Sequence, residues 1–385
     1  MDDQLLIRNG RVLQEGKFKK ADLVISGAMI AEVCEKRDDR KAANRIDASG
    51  LTVLPGFIDI HTHGGCGIDI SNAAGRELDE LTVFYAEQGI TGFLPTLLTA
   101  AQEGFKRALR NIRTVKEQGT KGAKILGIHM EGPYLCKAFK GAMPEELIVP
   151  PSIEQFEEYD RISGNNIKLV TVAPETEHVV DFIKHVTLKD IIVSIGHSGA
   201  DYDRCMACIE AGVKSATHLF NAMKPLHHHQ PSIIGACLES DIFCELICDG
   251  RHLHPGIVRL AVKAKGMDKI IGVTDSIMAA GVPDGQYKLG PADIIVKDGD
   301  ARLADGSSRA GSTLTMIQAL KNIVQFTGKS LEQCIDTVTY NPAKLLGLDQ
   351  RKGSISLGKD ADLVILDRDY NVRFTIAEGK IVYCA

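Results

Sequence analysis

No surplus of positive charge marks this chain: 45 Lys and Arg stand against 50 Asp and Glu, for a net charge of −5. A chain whose main partner is nucleic acid or an anionic membrane carries a basic footprint, so its lack turns attention to a small-molecule partner. No uncharged apolar run reaches the ~18–20 residues needed to cross a bilayer. The opening MDDQLLIRNG has neither the basic nor the apolar region of a secretory signal, so no membrane span and a cytoplasmic location are expected. The ten cysteines are scattered; in a reducing compartment such thiols serve mainly as small buried apolar residues. Cys205 and Cys208 form a CxxC in the helix-like DYDRCMACIEAG, but no second pair stands at zinc-finger spacing, which places both in a helix core. There is no GxGxxG opening a helix after the first strand, no phosphate-binding GxxxxGKS/T, no fixed-period repeat and no low-complexity segment.

What is present is material for a substantial core, with 44% hydrophobic residues in a chain of 385. Residues 1–54 read as short strands broken by Asn-Gly, Ser-Gly and Ala-Ser-Gly, and residues 346–385 have the same character. Neither end suffices for a sheet domain alone, so both termini are expected to combine in one small β-sandwich domain. From 55 to 345 short apolar runs alternate with amphipathic helical segments such as GRELDELTVFYAEQG and EGFKRALRNIRTVKEQG. Eight such runs predict an α/β fold of the (β/α)8, TIM-barrel type rather than an open doubly wound sheet.

The informative feature is what ends those runs. His61 and His63 close GFIDIHTH, Glu131 closes ILGIHME, His197 closes IIVSIGH, His218 lies in SATHLFN, and Asp275 closes IIGVTD. His61 and His63, two apart on a strand, point to one side, and the C-terminal ends of parallel barrel strands converge on one mouth. One such histidine reads equally as a hydrogen-bonded loop residue, and one such Asp as a helix cap; six at corresponding positions point to a metal centre. Imidazole and carboxylate ligands suit zinc first, then iron or another first-row ion. Such an ion lowers the pKa of bound water to ~7 and polarises a carbonyl, which makes amide hydrolysis feasible near neutral pH. Asp275 is the best-placed base, able to take a proton from water and return it to a leaving amine.

PGFIDIHTHG resembles the first-strand motif of the amidohydrolase superfamily, and NPAKLLGL followed by KGSISLGKDADLVILD resembles its return to the β-domain. Within it, HMEGPYL, SIGHSGA, THLFNAM, DGRH and GVTDS are similar, in this order, to the motifs of the N-acetylglucosamine-6-phosphate deacetylase family. The resemblance covers nearly the whole chain. It implies that Glu131, His197 and His218 bind the principal metal, that Asp275 is general base and acid, and that His61 and His63 hold a second ion with Glu131 able to bridge. One or two ions per subunit and a homodimer are therefore expected. Gly141, Ala142, Asn221, Ala222, His252, Ala310, Gly311 and Ser312 match the family's substrate-contacting segments. No strand-end lysine stands where relatives carry a carbamylated bridge, which favours hydrolysis of an exocyclic acetamide over ring opening.

Two departures stand out. The family usually reads NAM…HHREPG, its arginine reaching the substrate phosphate of the neighbouring subunit; here PLHHHQPS puts His229, Gln230 and Ser232 where Arg, Glu and Gly are expected. An imidazole cannot reproduce the permanently charged fork of a guanidinium, so His229 takes over the contact only in weakened form. Met143 in KGAMP stands where a histidine is common, which leaves carbonyl polarisation to the metal. The run His227–His229 is by itself a weak sign of metal buffering. The leading expectation is removal of acetate from an N-acetylated amino-sugar 6-phosphate, N-acetylglucosamine 6-phosphate first. The alternatives are N-acetylgalactosamine 6-phosphate, an unphosphorylated N-acetyl compound, or a non-catalytic sugar-phosphate binder.

Overall fold

The computed structural model describes residues 4–35 and 44–385; residues 1–3 and 36–43 of the expected N-terminal β segment lie outside the described residues. Eight parallel strands form the central barrel: β1 Phe57–Thr62, β2 Ile90–Leu98, β3 Ile128–Glu131, β4 Ile167–Val172, β5 Ile192–Ile195, β6 Ser215–Ala216, β7 Phe243–Ile247 and β8 Ile270–Val273. Each pairs with its sequence neighbours from β1 to β8. The seam between β8 and β1 is closed without a regular ladder. The Asp275 N–H donates to the His61 carbonyl at 2.9 Å, and the Thr274 hydroxyl to the buried Asp59 carboxylate at 2.6 Å.

A helix follows each strand and covers the barrel with an apolar stripe. Gln102–Gln118, for example, buries Phe105, Ala108, Leu109, Ile112 and Val115, the spacing of one helical face. Its neighbour Ile153–Ser163 starts at Ser152, whose hydroxyl accepts from Gln155 N–H, and stops at Gly164 in a left-handed cap. Cys205 and Cys208 are buried on Tyr202–Ala211.

Both termini enter one eight-stranded sheet. Leu363–Leu366 runs antiparallel to Thr52–Pro55, with Ile365 opposite Val53, and Thr52–Pro55 in turn pairs with Gln4–Gln14. Alternation along these strands serves two cores. Leu23, Ile25, Val53, Leu363 and Ile365 form a core within the sheet, whereas Leu54, Val364 and Leu366 join the barrel core. A further antiparallel sheet, Gly285–Leu289, Ala292–Lys297 and Asp300–Leu303, is inserted after β8 beside the barrel mouth, with Ile294 and Val296 in its own small core.

Candidate metal centre and substrate cavity

The barrel strands are apolar nearly to their last residue, and polar side chains emerge just beyond. His197, His218 and Asp275 each follow a strand end with φ of 46°, 30° and 48°. Left-handed backbone costs a non-glycine residue about 1–3 kcal/mol, and it turns these side chains inward over the barrel axis. The potential ligand atoms of Glu131, His197 and His218 lie within 4.8 Å of one another, as do those of His61, His63 and Asp275. Glu131 spans both groups: Oε1 is 3.1 Å from His197 Nε2, 2.9 Å from His218 Nε2 and 3.4 Å from His61 Nε2, while Oε2 is 3.2 Å from His63 Nε2. Asp275 Oδ1 completes the second group at 3.1 Å from His63 Nε2.

The far side of each ring decides what the near side offers. His197 Nδ1 faces the Phe139 carbonyl at 2.9 Å, His63 Nδ1 the Thr96 carbonyl at 3.2 Å, and His61 Nδ1 the Glu245 carboxylate at 2.9 Å. All three partners are acceptors, so each Nδ1 carries the proton and each Nε2 presents a lone pair. The Nε2 atoms converge, His61 and His63 being 3.3 Å apart and His197 3.0 Å from His218, whose own Nδ1 is buried with no hydrogen-bond partner. Two carboxylates join them. Bond lengths of about 2.0–2.1 Å to zinc imply ligand–ligand edges of roughly 3.3 Å. A buried set of converging lone pairs at this spacing fits a divalent cation.

The proton equilibria point the same way. Burial opposes charge on the imidazoles, yet Glu131 and Asp275 hold His61 well above the ordinary histidine range and push His63 up to about 9. Burial likewise opposes ionisation of the carboxyls, but His61 foremost keeps Glu131 well below its usual value and, with His63, lowers Asp275. The cluster demands positive charge, which either protons or a metal can provide.

The centre forms the floor of a cavity of about 360 Å³. Of the residues matched to substrate contacts, Gly141, Ala142, Asn221, Ala222, His252, Ala310 and Gly311 line it. Gly141 has φ 57°, a conformation strained for any other residue, and a Cβ there would crowd His197 Cε1 at 3.1 Å. His252 is held by Asp249, whose carboxylate accepts from Nδ1 at 2.7 Å. Ser312 sits one layer below, its N–H donating to the Asp275 carbonyl at 2.7 Å and its hydroxyl to the Thr274 carbonyl at 2.5 Å. His229 is not brought in: it is exposed, its N–H donates to His227 Nδ1 at 3.2 Å, and it does not line the cavity. Met143, in place of the expected histidine, is buried in the cavity wall.

Sequence reasoning missed the residues beneath the centre. Glu245, fully buried on β7, accepts through Oε2 from His61 Nδ1 at 2.9 Å and from the His218 N–H at 3.1 Å. An acid inside the apolar run FCELI was the available signal. His129 lies between the hydroxyls of Thr96 (3.3 Å) and Thr171 (2.9 Å), and burial keeps it well below the usual histidine range. Arg309 and Ser308 also line the cavity.

Comparison with known proteins agrees with this geometry. Residues 52–382 match the amidohydrolase family. The N-acetylglucosamine-6-phosphate deacetylase of Bacillus subtilis is 39% identical, over all of this chain and 98% of its own length. The crystal structure of the Pasteurella multocida N-acetylglucosamine-6-phosphate deacetylase superposes with a TM-score of 0.93 at 33% identity, covering 99% of this chain and all of that one. A mutant of the Mycobacterium smegmatis enzyme, in complex with N-acetyl-D-glucosamine-6-phosphate, superposes with a TM-score of 0.92 at 31% identity, covering 99% of each chain. The chain belongs to the amidohydrolase family, grouped there with the N-acetylglucosamine-6-phosphate deacetylases.

Proposed function

We propose that this chain is a metal-dependent hydrolase that removes the acetyl group from N-acetylglucosamine 6-phosphate, giving acetate and glucosamine 6-phosphate. The observation that carries the reading is the placing of Asp275 beside the Glu131, His197 and His218 group at the floor of one cavity. Glu131, His197 and His218 would hold the principal ion, zinc first, and His61 and His63 a second with Glu131 between. When bound, the metal supplies Lewis acidity toward the acetamide carbonyl and a lowered pKa for water.

The chain's own residues do the rest. Asp275, kept ionised by His61 and His63 despite its burial, accepts the proton of the attacking water as its oxygen adds to the acetamide carbon. It then returns that proton to the sugar nitrogen as the C–N bond breaks, so the amine leaves neutral. Phe139, Thr96 and Glu245 fix the ring tautomers, and the Ser312 N–H bond holds the Asp275 backbone in its strained conformation. Gly141 and Gly311 let main chain approach the substrate with no side chain between. A homodimer and a cytoplasmic location belong to the same reading.

The test is acetate release from N-acetylglucosamine 6-phosphate by protein of measured metal content. Asp275→Asn is expected to lower kcat by at least about 10³-fold, toward the larger losses seen for groups acting in proton transfer, while folding and the metal at Glu131, His197 and His218 persist. Wild type and Asp275→Asn behaving alike would return the chain to the non-catalytic binders.

A further inference from the structure

At the place of the family's arginine, which serves the neighbouring subunit's substrate, stands His229, exposed and outside this chain's own cavity, and an imidazole lacks the permanent charge of a guanidinium. One permanently cationic side chain does line that cavity among the described residues: Arg309. We propose that Arg309, with Ser308, holds the anionic end of the substrate from within the same chain, and so sets the preference for a phosphorylated sugar.

The geometry is specific. Arg309 follows the tight turn that leaves the three-stranded sheet, where the Ala310 N–H donates to the Ala301 carbonyl at 3.2 Å and the Leu303 N–H to the Ser308 carbonyl at 3.0 Å. Asp300 grips the guanidinium through Nε at 2.7 Å and Nη2 at 3.3 Å. Nη1 has no acceptor among the described residues. Asp300 also pairs with Arg302 at 3.0 Å, so one carboxylate sits between two guanidinium groups and the cluster stays net positive. Beside it Ser308 Oγ is buried with no hydrogen-bond partner, a hydroxyl lacking the acceptor that a phosphate oxygen would supply.

Arg309 and the reacting centre share one cavity: a Cβ on Gly311, two residues on, would lie 3.7 Å from Asp275 Oδ1, and Arg309, Gly311 and Asp275 all line that cavity. His252, whose Nδ1 faces the Asp249 carboxylate at 2.7 Å, lines the same cavity. A guanidinium fork is matched to phosphate oxygens.

This inference rests on the deacetylase reading, and kcat/KM for N-acetylglucosamine 6-phosphate relative to unphosphorylated N-acetylglucosamine separates the two. Wild type is expected to prefer the phosphorylated sugar, and Arg309→Met to reduce that ratio about 10–100-fold, mostly through KM. Arg309→Lys is expected to recover part of it, and inorganic phosphate to inhibit Arg309→Met less than wild type. If Arg309→Met does not fold, Ser308→Ala and Arg309→Lys must each lower the ratio. A preference unchanged in all variants, or a wild-type ratio near one, overturns the assignment while leaving the deacetylase reading intact. Wild-type protein that releases acetate from neither sugar defeats that reading instead.

Discussion

Glu245 makes a demanding prediction, because it touches neither substrate nor any proposed ligand atom of the metal. Its Oε2 accepts from His61 Nδ1 at 2.9 Å and from the backbone N–H of His218 at 3.1 Å. It therefore tethers one histidine from each half of the centre. Glu245→Gln keeps the volume and one acceptor oxygen but removes the charge. A hydrogen bond to a charged group contributes about 1.5–3 kcal/mol and a neutral one about 0.5–1.5, so the loss at His61 is about 1–1.5 kcal/mol. Loss of ligand basicity adds to this, and changes beneath metal-bound histidines typically weaken metal affinity 10–100-fold. Glu245→Ala goes further by leaving two buried N–H groups without acceptors, at about 1–3 kcal/mol each. The assay is competition for zinc against a chromophoric chelator, paired with thermal unfolding of stripped protein. Glu245→Gln is expected to bind zinc at least tenfold more weakly with little change in the stripped midpoint, and Glu245→Ala to lose both affinity and stability. Wild-type zinc affinity in Glu245→Gln would refute the reasoning, since the charge would then do nothing for His61.

Two further outcomes follow from other parts of the molecule. Dialysis against a strong chelator is expected to abolish acetate release and lower the thermal midpoint, because the converging Nε2 atoms of His61, His63, His197 and His218 then face one another or take up protons; added zinc should restore both, as measured by elemental analysis and calorimetry. Lys352, buried in the terminal sheet's junction, bonds Asp362 at 2.6 Å and Asp360 at 2.8 Å. Lys352→Met strands buried carboxylate charge at a cost of about 3–5 kcal/mol. It should lower the thermal midpoint by several degrees, with kcat/KM of the folded fraction kept within about twofold of wild type, as expected for a site away from the chemistry.

The barrel was legible because its periodicity is redundant. The apolar runs alternate with helical segments, six of the eight stopped by a glycine, and seven of the eight runs became strands of four to nine residues. SATHLFN is the exception: only Ser215–Ala216 is strand, and His218, Phe220 and Ala222 then take positive φ to turn back over the mouth. Composition cannot signal that turn, since left-handed backbone is disfavoured for all three residue types. The small sheet at 285–303 went unread although ADIIVKDGDARL alternates about an Asp-Gly turn, a standard hairpin sign. It lies within the stretch 55–345 that the run-and-helix alternation assigns to the barrel. That omission concealed Arg309, whose place in the cavity depends on the turn leaving this sheet.

A metal centre divides into parts that sequence can and cannot show. Coordination demands imidazole or carboxylate, so the six candidates announce themselves by type at matching strand ends. What makes an imidazole offer a lone pair rather than an N–H is the group behind it, and for His197 and His63 that group is a backbone carbonyl, of Phe139 and Thr96. Any residue supplies a carbonyl, so the identity of neither position carries the information; it lies in the loop path after β3 and in the register of β2. His61 differs in being backed by a side chain, and Glu245 is the one such partner that an acid in an apolar strand could have betrayed. The same division predicts where substitution is tolerated. Phe139 can change side chain and still hold the His197 tautomer, provided the main chain keeps its course, whereas Thr96, whose buried hydroxyl also accepts from the Thr62 N–H at 3.0 Å, and Glu245 cannot change without disturbing the His61–His63 strand.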